Sequence, residues 1–99
     1  MKEDIIGVKT RKFEAFLEKQ RQPKYSSWVL LEPIDSPFKE VRIVITSKNE
    51  PLDMRIYLKE YSWKNEIDKS LDFATDYSEV KDFLWKNRVR KVRHIATIK

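Results

Sequence analysis

The stretch FKEVRIVITSKNEPLDMRIYLKEYS, Phe38 to Ser62, decides the fold. Its first arm places Val41, Ile43 and Ile45 on alternate positions, and its second does the same with Leu52, Met54, Ile56 and Leu58. Period-two patterning rich in β-branched residues reads as two half-buried strands. The four residues between them, Lys48-Asn49-Glu50-Pro51, make a hairpin loop without glycine. The side chains also select a register. The apolar rows sit on odd numbers in one arm and even numbers in the other, so paired numbers must sum to an odd number for both rows to face one core. A sum of 97 sets Arg42 against Arg55, which repels. A sum of 99 sets Glu40 opposite Lys59, Arg42 opposite Tyr57, Val44 opposite Arg55 and Phe38 opposite Tyr61. Such pairs contribute about 0.2–1 kcal/mol each, and this register is the expected one.

On the N-terminal side, Phe13, Phe16, Leu17 and Gln20 recur at helical spacing, Ile5 and Ile6 fall two turns earlier, and Pro23 forbids continuation. The spacing predicts a helix from about Lys9 to Arg21, with Thr10 as its N-cap if Gly7 interrupts. Tyr25 to Glu32 reads as a short strand, closed by a loop with Pro33, Asp35, Ser36 and Pro37. Beyond Ser62, the residues Trp63, Ile67, Leu71 and Ala74 fit a helical stripe, although Ile67, Leu71 and Phe73 also suit a strand; helix is preferred. Asp76 with Glu79 resembles a capping box, opening a helix through Val80, Phe83 and Leu84. Trp85, Val89, Val92 and Ala96 continue at helical spacing, with Val92 to Ile98 as an alternative closing strand. The expected fold is α+β in one domain over residues 1–99: an N-terminal helix, an antiparallel sheet of three or more strands and C-terminal helical segments, in two layers.

Composition removes most enzyme chemistry. The 99 residues contain no Cys, one His (His94) and one Gly (Gly7). No Cys/His zinc site, thiol nucleophile or disulfide can be built, and phosphate-cradling glycine loops are excluded. His94 stands beside Arg93 without a carboxylate nearby in sequence, so it reads as a structural residue, and the serines lack a recognisable nucleophile setting. Asp68, Asp72, Asp76 and Glu79 would line up on one continuous helix, but as caps and dipole partners they need no metal; no metal and no cofactor is expected. No apolar run exceeds Trp28 to Leu31 and charge follows Met1 directly, so a cytoplasmic protein without membrane span or leader is expected.

Charge is plentiful and uneven. The 21 Lys and Arg against 16 Asp and Glu give a net +5. Residues 1–24 carry seven basic and four acidic groups, residues 25–76 seven and ten, and residues 77–99 seven and two. Scarce Gly and amide with abundant Lys, Glu, Arg and Ile match the habit of proteins from hot environments.

Two constellations remain. The solvent face of the hairpin's second strand reads Arg55, Tyr57, Lys59, Tyr61, Trp63, aromatic rings interleaved with cations, which suits a protein interface or the stacking of nucleic-acid bases unless a helix or a partner strand covers it. Lys86, Arg88, Arg90, Lys91 and Arg93 put five cations in eight residues, enough to neutralise several nucleic-acid phosphates, or simply a solvated helix face.

With the hairpin Lys39 to Ser62 and the tail Trp85 to Lys99 laid out, the chain resembles the small Lys- and Ile-rich proteins of filamentous and rod-shaped viruses that infect hyperthermophilic, acid-loving archaea. The resemblance is one of size, composition and a strand-rich middle, and it carries over no individual residue. Small members of such virus groups bind host defence proteins or nucleic acid, so it implies a surface-acting protein. The expectation is therefore a non-enzymatic binding protein, working through a protein partner or as a homodimer by way of Arg55, Tyr57, Lys59, Tyr61 and Trp63. The alternative is nucleic-acid binding through Lys86 to Arg93.

Overall fold

The computed structural model describes residues 5–60 and 67–98. Along the chain run β1 (Ile5–Gly7), α1 (Arg11–Gln20), β2 (Ser27–Ile34), β3 (Glu40–Ile45), β4 (Met54–Glu60), β5 (Ile67–Ala74), α2 (Tyr77–Lys86) and β6 (Lys91–Ile98). The strands form one antiparallel sheet in the order β1-β6-β2-β3-β4-β5. This corrects the expected order of helix, strands, then helices. A strand precedes α1, α2 lies between two strands, and the chain closes on β6, which is inserted between β1 and β2.

The hairpin of β3 and β4 has the register its side chains select: Glu40 faces Lys59, Arg42 faces Tyr57 and Val44 faces Arg55. The expected Phe38–Tyr61 pair lies partly outside the described residues. The loop holds without glycine because Arg21, at the C-terminal end of α1, reaches across to it. Its guanidinium donates to the carbonyls of Thr46 (3.1 Å), Ser47 (2.8 Å) and Glu50. Charge-assisted bonds to backbone carbonyls fix the loop and the helix end together.

One sheet face is covered. Val29, Leu31, Val41, Ile43, Ile45, Met54, Ile56, Leu58 and Val92 are fully buried there against Phe13 and Leu17 of α1 and Val80 and Leu84 of α2. The helices touch each other through Lys81 and Glu14 (3.1 Å) and through Tyr77, whose hydroxyl donates to the Glu18 carboxylate. Burial foremost, then the bond to Glu18 and its negative charge, hold the Tyr77 phenol well above its ordinary value of 10.0, with Arg21 pulling the other way. The folded state therefore keeps a proton that the unfolded chain releases above pH 10.0, and stability should fall as pH rises past that value. Urea midpoints measured from about pH 8 to 11 should show this decline in the native protein and a shallower one in Tyr77→Phe.

Residues 67–74, expected as helix, form β5. A bulge opposite Met54–Ile56 explains the misleading spacing, because Met54 pairs with Ala74 while Ile56 pairs with Leu71. The extra residue turns the strand's two-residue period into a three-residue step, so Leu71 and Ala74 share the covered face at helix-like spacing. The expected continuation through Val89, Val92 and Ala96 fails for a different reason. Helix α2 ends in a 6→1 bond from Val89 N–H to the Leu84 carbonyl (2.9 Å) and a 5→2 bond from Arg88 N–H to that of Trp85 (3.1 Å). That is a Schellman ending, with buried Val89 closing over buried Leu84, and Arg88 occupies the left-handed position at φ 67° where glycine is the usual choice. Arg88→Gly should therefore raise stability by roughly 0.5–1 kcal/mol, measurable by thermal unfolding.

Candidate functional site

Because both helices lie on one side, the other face of the sheet has no covering element among the described residues. Cross-strand pairing arranges it in rows. The first runs Ile98, Trp28, Val44, Arg55 across β6, β2, β3 and β4, and ends where the Arg55 guanidinium lies 5.7 Å from the Phe73 ring on β5. A second runs Ala96, Leu30, Arg42, Tyr57, Ser70. A charged row follows, with Ile5 opposite Arg93, Arg93 opposite Glu32, and Glu40 opposite Lys59.

The first two rows are unusually apolar for a wet surface. Phe73 is 64%, Ile98 54% and Trp28 44% exposed, Ile95 at the β6 bulge is exposed as well, and Leu30, Val44 and Tyr57 are half-buried. Trp28, Arg42, Tyr57 and Lys59 line a shallow hollow of about 220 Å³. The charged row is already compensated within the chain: Arg42 Nε is 2.9 Å from Glu40 Oε2, and Arg93 Nη1 is 3.2 Å from Glu32 Oε1.

Of the expected interface residues, Arg55, Tyr57 and Lys59 stand on this face, and Tyr61 and Trp63 lie outside the described residues. Sequence reasoning missed Trp28, Leu30 and Ile98. Their signal was present in the alternation of β2, but which of its two faces is covered depends on where the helices pack. His94, by contrast, serves the covered side: its Nε2 is 2.8 Å from Thr97 Oγ1 and its ring meets Phe16 edge-on at 4.9 Å.

The five expected nucleic-acid contacts do not share a helix face. Lys86 ends α2, Arg88 and Arg90 lie in the turn, and Lys91 and Arg93 open β6. Two of them are engaged: Arg90 sits 4.5 Å from the Trp85 ring centre, and Arg93 pairs with Glu32. Lys86, Arg88 and Lys91 make no ion pair among the described residues, and β5 brings Lys69 beside Lys86 and Arg88 around one hollow. The carboxylates Asp68, Asp72, Asp76 and Glu79 do not share one helix. Asp72 is in β5, Asp76 accepts from Ser78 N–H at the N-cap of α2, and Glu79 accepts from Thr75 N–H. No group of three or more His, Asp or Glu suited to a metal occurs among the described residues, and none of their helices is long and apolar enough to cross a membrane.

No family model matches the chain, and no curated protein or solved structure is found to be similar to it.

Proposed function

We propose that the chain is a non-enzymatic docking module whose open sheet face packs against a second copy of itself. The observation that carries this reading is the uncovered pair of rows from Ile98 and Ala96 across to Phe73 and Ser70, with large apolar side chains left in water. Six strands about 4.8 Å apart and about 20 Å long present roughly 600 Å² per copy. Two copies face to face would bury roughly 1,200 Å², the lower end of what a specific interface needs. The charged row supports self-packing rather than opposing it. Arg42–Glu40 and Arg93–Glu32 would enter the contact as pairs, avoiding the larger penalty of burying lone charges.

Tyr57 lies at the middle of β4 on this face, between the two hollows that flank it. Tyr57→Ala should weaken self-association about tenfold, as expected for an aromatic anchor near an interface centre, while leaving the monomer folded. Sedimentation equilibrium on the two proteins reads this directly; equal dissociation constants would remove Tyr57 and this face from the interface.

A further inference from the structure

The basic end of the sheet offers a second, separate site. Arg88 stands at its centre. The Schellman ending of α2 needs a left-handed residue there, and in place of glycine the chain carries a cation at φ 67°, accepting backbone strain that a glycine would relieve. The side chain thereby gained lies between two hollows and lines both. On one side, a hollow of about 390 Å³ is bordered by Lys69, Lys86, Arg88 and Glu60. On the other, one of about 350 Å³ is bordered by Arg88, Arg90, Lys91 and Asp35. Each holds three cations to one carboxylate. Both lie where β2, β4 and α2 end and β5 and β6 begin, at the rim of the sheet, so a partner on the open face need not cover them.

We propose that this rim binds the phosphodiester backbone of a nucleic acid, with Arg88 bridging successive phosphates seated in the two hollows. The excess of cations supplies the attraction, and guanidinium matches the geometry of phosphate oxygens. Arg90 contributes charge while its stacking on Trp85 keeps it in place. With no glycine loop and no base-reading motif at the rim, contact is to the backbone and independent of sequence.

The test is fluorescence anisotropy of labelled single-stranded DNA and RNA 12-mers with the intact protein, at 50 and 200 mM salt, beside thermal unfolding of each variant. Neutralising about three phosphates predicts roughly a tenfold to twentyfold loss of affinity over that salt range. Arg88→Gly should raise the melting temperature by about 3 °C and yet weaken binding about fivefold, a split that a purely structural Arg88 would not produce. Lys86→Glu should weaken binding at least as much. The proposal is overturned by absence of binding at 50 mM salt, by affinity unchanged in both variants, or by affinity lost in Tyr57→Ala, which would move the strand to the open face. Equally tight binding of poly-glutamate of matched charge also overturns it, since phosphate would then not be what the rim recognises. Self-association is read separately, by mass.

Discussion

Leu30→Glu is expected to leave the protein monomeric, with a dissociation constant raised at least about a hundredfold and the fold intact. Leu30 lies in β2 with Ala96 on one side and Arg42 on the other, so it faces the open side at the centre of the apolar rows. In the isolated monomer the glutamate side chain reaches water from a half-buried position, next to the guanidinium of Arg42. Between two copies it would be desolvated, and by two-fold symmetry each contact carries two such charges. Arg42 is already paired with Glu40, so the new glutamate is a surplus negative charge, and burying such a charge in an interface costs several kcal/mol, far more than the loss of a leucine's apolar area. A circular dichroism spectrum matching the native protein shows the fold retained. A variant that remains dimeric would place the interface elsewhere.

The second large effect lies on the covered face. Phe13→Ala should destabilise the protein by about 3–5 kcal/mol, measured by urea denaturation. Phe13 is fully buried, stacks on Phe16 at 6.5 Å between ring centres, and anchors α1 on the sheet. Truncation removes a ring's worth of buried area and leaves a cavity, because Leu17 and the strand residues beneath are themselves fully packed. Against a total stability of roughly 5–15 kcal/mol, this is enough to make the domain marginal. Phe13→Leu keeps most of the volume and should cost about 1 kcal/mol. A small effect of Phe13→Ala would mean that α1 is not held on the sheet by this residue.

What the sequence made legible is what obeys a local period. Helix α1 and the hairpin could be read because Phe13 and Leu17 keep helical spacing and Val41, Ile43 and Ile45 keep strict alternation. The register was legible because, of the sums 97 and 99, the first sets Arg42 against Arg55 and the second sets Glu40 opposite Lys59. The errors came where local rules are broken. The bulge in β5 inserts a residue and imitates a helical step. The end of α2 carries Arg88 in place of the glycine that marks such endings, so the helix read as running on. The three residues of β1 are too few to show any period, and Ile5 and Ile6 fall in step with the apolar stripe of α1. At the candidate sites the type of residue was legible, rings among cations and a run of cations, but partnership was not. That Arg93 answers Glu32 and that Lys69 joins Lys86 depend on contacts between distant parts of the chain, and that Arg90 answers Trp85 depends on how α2 ends.

Packing through the open face is read most directly from the mass of the unaltered protein in solution, by sedimentation equilibrium across a range of concentrations. If two open faces pack together, the mass is twice the 12.0 kDa of the chain at micromolar concentration and falls on dilution. A mass of 12.0 kDa that persists as concentration is raised into the hundreds of micromolar would contradict it.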